Sequence, residues 1–400
     1  MKARLFGLAS IAALLLASAA SAQDVKPLRI AILNDQSTVY SDASGKGSIV
    51  AAQLAIDDFG GKVLGRPIEL LSADHQNKTD IASGIVRDWF DNKGVEAIFD
   101  LQVSSVALAA VALAEKANKV AMISSSGSSE LTGKNCSPNS VHWTYDTYAI
   151  SRALPTALLN QKLDSWYFVI VDYAFGHAME SDFSSSLAAL GGNVVGSTRV
   201  PLAASDFSSS LLAAQSSGAK VVLLGSGGAD AVLQLKQASE FGLKETQQLV
   251  SPATWMTEVI GAGQEIAQGL YVTESFYWDL DEESRAWSKR YVEKMGKPAN
   301  MLQAGNYGSV LHYLKAVEKA GTTDGDAVVK AMKEIKINDF MTKDGWVRED
   351  GRAMRNMYVF QVKDPSESKY PFDYYKLVET LPAEKVFRPL SESDCRLVKR

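Results

Sequence analysis

The sequence predicts an α/β fold of two doubly wound lobes, each a parallel-type sheet flanked by helices. Short, continuous apolar runs alternate with helical stretches, the pattern of strands buried on both faces. The rhythm pauses at VHWTYDTYA (141–149) and then resumes, so two such runs follow each other. At 400 residues the chain has the length of two lobes rather than one.

The first run opens with LRIAILND (28–35), a Ser/Gly-rich loop and a helix over Ser48 to Phe59. PIELLSAD (67–74) is the next strand. A helix follows with Ile81, Ile85 and Trp89 at i, i+4 and i+8. VEAIFDL is a strand, Ser104 to Ala117 an Ala-rich helix, and KVAMISS a strand. Thr79 and Ser104 read as the polar caps that open their helices. In the second run WYFVIVD is a strand, Glu180 to Leu190 helical and GNVVGSTRV a strand. A helix over Phe207 to Ser216, the strand KVVLLGSG, a helix ending at Phe241 and the strand QQLVSPA complete it. From Glu282 helices dominate: Ser284 to Met295, Asn306 to Lys319 and Ala327 to Ile335. The tail turns to β, with turn signals at Asp344-Gly345 and Asp350-Gly351 and a last strand in FDYYKLVETL.

The N-terminus has the order of a secretory signal peptide, residues 1–22. Lys2 and Arg4 form the charged region and Leu5 to Ala17 the apolar region, which is too short to span a bilayer. Ala20-Ser21-Ala22 supplies the small residues for cleavage, so the mature chain begins near Gln23. No later run is long and apolar enough for a membrane span. The expected location is a bacterial periplasm, where Cys136 and Cys395 are free to form a disulfide. Both lie in polar, loop-like contexts, which favours a bridge over two unpaired buried thiols. Net charge is −5 with no basic block, which argues against nucleic acid or an anionic membrane as partner.

Motifs for chemistry are absent. His75, His142, His177 and His312 are not at metal-ligand spacing from each other or from a cysteine, so no metal site is expected. There is no GxSxG elbow and no phosphate loop. GSGGAD (225–230) lacks the third glycine of a dinucleotide loop and reads as a tight turn. WDLDEES lacks the glycine of a calcium loop; its acids open a helix instead. A binding protein without cofactor or catalytic residues is therefore the better reading than an enzyme.

Ligands of doubly wound sheets bind at the carboxyl ends of strands, where loops meet helix N-termini. Those loops carry Tyr40, then Gln102, Ser104 and Ser105, then Ser126 and Ser128 in the first lobe. In the second they carry Tyr173, Phe175, Gly227, Gly228 and Trp255. Hydroxyls and helix-start amides suit a carboxylate, and aromatic faces suit an apolar body or a cation. Core packing and helix capping are the competing reasons for the same residue types. SSSGSSE (124–130) has linker composition, but it directly follows a strand inside the first lobe. Ser126 and Ser128 are therefore read as ligand contacts, and Ser124, Ser125 and Ser129 as turn and cap residues.

Taken with the signal peptide, four stretches resemble a known family: GKGSIVAAQLAIDDFGGKVLGRPIELLSADHQNK, LQVSSVALAAVALAEKANKVAMISSSG, VDYAFG and DGWVREDGRAMRNMYVFQV. The chain resembles the type I periplasmic solute-binding proteins of ABC transporters, in the branched-chain amino acid-binding (leucine/isoleucine/valine) group. The resemblance implies a three-crossing hinge, with crossings near Asp146, Ser275 and Gly351. Lobe 1 is then 24–146 plus 276–350, and lobe 2 is 147–275 plus 351–400. It also implies a monomer whose lobes close on a small-molecule ligand and present it to an inner-membrane permease. The family's carboxylate-holding positions match Gln102, Ser104 or Ser105, Ser126 and Ser128, and its YG aromatic is Phe175.

Two departures stand out. Amino acid binders of this group usually carry a bulky residue where Gly227 or Gly228 stands, which suggests a larger pocket here. The SPATWMTE loop offers Trp255, with Glu258 as its only acid to grip an ammonium, unless Asp172 or Asp230 serves. The expected function is the periplasmic substrate-binding component of an ABC importer for an amino acid or an aromatic acid. A ligand-sensing receptor of the same fold and a secreted enzyme are the alternatives.

Overall fold

A computed structural model describes residues 25–399; the expected signal peptide lies outside them. The first sheet is built from β1 (Leu28–Asn34), β2 (Lys62–Val63), β3 (Arg66–Asp74), β4 (Val95–Asp100), β5 (Val120–Ile123) and β6 (Ser140–His142). Their spatial order is β2-β3-β1-β4-β5-β6, and only β2 runs antiparallel. Between them lie α1 (Gly45–Phe59), α2 (Thr79–Asp91) and α3 (Ser104–Lys116). β1, β4 and β5 are buried along almost their whole length, as their unbroken apolar runs require.

α4 (Thr147–Leu159) leads into the second sheet. There β7 (Ser165–Val171), β8 (Asn193–Val200), β9 (Val221–Gly225), β10 (Gln248–Val250) and β11 (Tyr271–Glu274) run parallel. They alternate with α5 (Ala174–Leu190), α6 (Ser208–Ser216), α7 (Gly228–Glu240), α8 (Met256–Ala262) and α9 (Gln264–Ala267). β8 alternates exposed and half-buried residues because it is an edge strand with one face to solvent. The chain then returns to the first sheet with α10 (Glu282–Met295), α11 (Met301–Ala320) and α12 (Gly325–Glu334); α11 packs on α1. A hairpin of β12 (Trp346–Val347) and β13 (Ala353–Met354) turns at the expected Asp350-Gly351. β14 (Met357–Val362) and β15 (Tyr375–Leu381) finish the second sheet antiparallel, in the order β15-β14-β11-β10-β9-β7-β8. α13 (Ala383–Val386) lies against α4.

The chain thus passes between the sheets three times. Buried polar bonds tie these passages together. Arg352 donates to the carbonyl of Tyr145 at 2.9 Å and to Asp146 Oδ2 at 3.3 Å, and Gly351 O accepts from His142 N at 2.9 Å. At the second passage Glu274 accepts from the N–H groups of Met256 (3.1 Å) and Met301 (3.2 Å), which begin helices on opposite lobes. Asn300 adds bonds to Thr257 Oγ1 and Ala43 O, both 2.8 Å.

Two expected caps are corrected. Thr79 and Ser104 are first helical residues, and neither helix has a side-chain cap. Ser104 instead turns its hydroxyl to accept from Ser128 N at 3.2 Å, tying the loops after β4 and β5 together. The expected disulfide between Cys136 and Cys395 is present. Among the described residues no helix is long and apolar enough to cross a membrane, and no His/Cys/Asp/Glu cluster is placed to hold a metal ion.

Candidate functional site

The serine loop after β5 presents amide donors because its carbonyls face the other way. Ser124 O accepts from Thr144 Oγ1, Ser125 O from Tyr145 OH at 3.3 Å, and Ser126 O from His142 Nε2 at 2.7 Å. Burial pulls the His142 pKa well below 6.5, so the neutral ring donates from Nε2. The hydroxyls are also committed inward, Ser125 to Asp100 and Ser126 to Leu101 O. Ser124 N and Ser125 N both donate to Asp100 O, and Ser128 N to Ser104 Oγ, so what remains for the cleft is the backbone N–H of Ser126 and Gly127.

The loop after β4 meets it. Asp100, Leu101 and Val103 all adopt positive φ (74°, 53° and 72°), a strained path for non-glycine residues. The strain turns the N-terminus of α3, with Ser104, towards Ser126 and Gly127. Ser44 Oγ orients Gln102 through its Oε1 at 2.6 Å. The uncapped first turn of α3 keeps its N–H groups unpaired within the helix, an anion-binding arrangement.

From the second lobe come the N-terminal ends of α5, α7 and α8, with Tyr173 and Phe175, Gly227, and Ala253 and Trp255. The two lobes are closed together. Tyr40 OH lies 2.9 Å from Tyr173 OH, and Ala229 N donates to Val39 O at 2.8 Å. Between them remains a cavity of about 20 Å³, room for one water. Tyr145 completes its wall, edge-on to Trp255 at 5.7 Å and to Phe175 at 6.5 Å between centroids. Burial raises the phenols of Tyr40, Tyr145 and Tyr173 above their usual range, so all three stay neutral donors or acceptors. No charged side chain lines this cavity.

Of the residues singled out from sequence, Tyr40, Gln102, Ser104, Ser126, Tyr173, Phe175 and Trp255 converge on the cavity. Ser105, Ser128 and Gly228 are not in its lining. Ser105 is half-buried, one position round the helix from Ser104, and Ser128 is held by Ser104. Gly228 lies against Val39 and Tyr40 rather than leaving space. Ser125, read as a turn residue, also lines the cavity; Val103, Gly127, Tyr145 and Ala253 were not singled out, nor was Gly227 named as a contact. Only Tyr145 carried a signal, as an aromatic in the segment where the rhythm pauses.

The three candidate ammonium partners all face elsewhere. Asp172 pairs with His177 at 2.7 Å on the surface, and Asp230 accepts from Ala203 N at 2.8 Å. Glu258 is buried behind the wall, accepting from Trp255 N (3.1 Å) and Thr257 Oγ1 (2.9 Å), and its Oε1 has no partner. Burial raises Glu258 to about 7 and Glu274 to about 8. Both therefore hold a proton in the folded protein that the unfolded chain has released by about pH 5. Their stabilising effect is complete below the unfolded value and is lost as pH rises through 7 to 8. His75 and His312, lowered by burial to about 4, act in the opposite sense but only below about pH 6.5. Stability is therefore expected to fall from pH 6.5 to 8.5. Denaturant titrations across that range check it: the Glu258→Gln and Glu274→Gln pair should flatten the slope, and an unchanged slope would assign it elsewhere.

The sequence profile of the family described as periplasmic binding protein matches residues 27–369. A periplasmic binding protein from Burkholderia mallei is 43% identical with a TM-score of 0.91, covering 94% of this chain and 100% of its own. A branched chain amino acid ABC transporter periplasmic ligand-binding protein from Burkholderia xenovorans is 41% identical with a TM-score of 0.84, covering 93% and 100%. An ABC transporter solute binding protein from R. palustris, in complex with benzoate, shares the fold at 20% identity and a TM-score of 0.81, covering 89% and 97%.

Proposed function

Because the chain belongs to the periplasmic binding protein family, we propose that it is the substrate-binding component of an ABC importer that captures a small aromatic carboxylate between its lobes. Membership of that family supports a periplasmic location and a binding rather than an enzymatic role. We assign lobe 1 to 24–146 plus 276–350 and lobe 2 to 147–275 plus 351–400, a division that the two large sheets and the helices packed on them support.

One observation carries the ligand class: helix N-termini from both lobes converge on a cavity walled by Tyr40, Tyr145, Tyr173, Phe175 and Trp255, with no charged side chain in its lining. Helix-start amides and the serine loop supply the charge complement of a carboxylate. The rings offer edges and faces to a flat apolar body. The N–H groups of Trp255 and Met256 at the α8 terminus are already taken by Glu258 and Glu274, and Ala229 N of α7 by Val39 O, which leaves chiefly the first turns of α3 and α5 for the ligand.

Thermal-shift screening tests the class. Benzoate or 4-hydroxybenzoate at about a hundredfold excess over Kd should stabilise the folded protein by about 2.7 kcal/mol, with one-to-one stoichiometry by calorimetry. A shift with leucine and none with any aromatic acid would overturn it. A leucine-like amino acid is the second reading, favoured by the unpartnered Glu258 Oε1, which a turn of the Trp255 ring would open to an ammonium. Glu258→Gln then abolishes leucine binding, whereas it spares an aromatic acid. A sensor of the same ligand would lack permease and ATPase genes beside its own.

A further inference from the structure

Tyr40 is a cavity residue of the first lobe whose ring is seated on the backbone of the second. Its backbone is fixed by the fully buried Asp35, whose Oδ2 accepts from Tyr40 N at 2.8 Å, from Thr38 Oγ1 at 2.6 Å and from Asn77 Nδ2 at 2.9 Å. The first lobe therefore presents this ring in one place. Its seat is the turn at the start of α7. A Cβ at Gly227 would meet the Tyr40 ring at 3.2 Å, and one at Gly228 would meet the ring at 2.8 Å and Val39 O at 2.2 Å. Gly228 also has φ +61°, which side chains rarely adopt. The glycine pair does not widen the pocket: the space it leaves is taken by Tyr40, whose hydroxyl reaches Tyr173.

We infer that Tyr40 sets the size of ligand this cleft can close on, with the Gly227–Gly228 turn as the seat that lets its ring cross between the lobes. The inference rests on the reading of the cleft as a binding site for a small acid. The ring roofs a cavity of about 20 Å³ in the closed form, so a ligand gains its room by lifting Tyr40 part of the way off this seat. Larger acids would lift it further and lose the hydroxyl contact to Tyr173.

The test is calorimetric affinity for two size series on the whole protein: benzoate, 4-hydroxybenzoate and 2-naphthoate, and valine, leucine and phenylalanine. Tyr40→Ala should shift the affinity ratio of the largest to the smallest acid by about tenfold or more towards the largest, with Tyr40→Leu in between. Tyr40→Phe keeps the ring and should weaken the smallest acid by about twofold to tenfold through the lost hydroxyl pair while sparing the largest, which has already given that contact up, so its shift in ratio stays below that of Tyr40→Ala. Gly228→Ala should weaken every acid at a constant ratio, because the seat is blocked. If the wild type binds one series and Tyr40→Ala and Tyr40→Leu leave its ratio unchanged, the inference is overturned and the functional reading stands. If the wild type binds neither series, both fall.

Discussion

Replacing Arg352 by alanine is expected to destabilise the protein by about 3–5 kcal/mol. Arg352 is fully buried where the first and third passages between the sheets meet. It donates to Tyr145 O at 2.9 Å, to Asp146 Oδ2 at 3.3 Å and to Ala353 O at 3.2 Å, and its guanidinium lies 4.7 Å from the centre of the Phe387 ring. Burial lowers its pKa to about 10, so it remains a cation at neutral pH. Asp146 is itself buried and caps α4 by accepting from Ala149 N at 2.7 Å. Without the arginine, that carboxylate keeps its cap but loses its cation. Lysine does not substitute, because one ammonium cannot reach both Tyr145 O and Asp146 in the fork geometry. Arg352 Nη2 has no partner, so the arrangement carries a desolvation cost of its own. Arg352→Met together with Asp146→Ser should therefore recover most of the loss: serine keeps the cap and methionine fills the volume. Urea unfolding measures each term. A loss below about 1 kcal/mol for Arg352→Ala would mean that the pair is screened by water and does not hold the hinge.

The parts of this fold written in local pattern were legible. Unbroken apolar runs such as VVLLG and IAIL became central parallel strands, and the pause at 141–149 became the first passage. What the sequence hid was direction. Ser126 looks like a hydroxyl donor, yet its hydroxyl bonds inward to Leu101 O and only its backbone N–H is left for the cleft. Ser105 differs from Ser104 by one helical position, which turns it off the cavity. Tyr145 did not stand out, because an aromatic between two lobes has the same signature whether it walls a cleft or fills a core. The glycines at 227 and 228 were legible as space, but what fills it is a residue nearly 190 positions away on the other lobe. Contacts that exist only when two lobes meet leave no periodicity in either. The disulfide was legible for a different reason: compartment and loop context, not geometry, announced it.

Reducing Cys136–Cys395 is expected to lower stability by about 2–5 kcal/mol, near the upper end because the bridged residues are far apart in sequence. They are separated by 259 positions, so the open chain gains a large closure entropy on unfolding. The tail that carries Cys395 makes a fourth link between the lobes. It leaves β15 of the second sheet and packs α13 on α4. Phe387 lies against Arg352; Arg388 bonds Asp182 at 3.0 Å and covers the Tyr148 ring at 4.3 Å. The tail then closes covalently on the loop before β6 and pairs Arg396 with Glu115 of α3. Cys136→Ser with Cys395→Ser should reproduce the effect of reductant, and neither sulfur of the native protein should label with a thiol reagent. Because Phe387 is held by Arg352, bridge and arginine secure the same junction. Their losses should therefore fall short of additivity: in an Arg352→Ala background the tail is already loosened, and reduction costs less than in the wild type. Strict additivity in denaturant titrations would show that the tail and the central hinge act independently. A wild-type loss below about 1 kcal/mol would show that the noncovalent contacts of residues 383–396 hold the tail unaided.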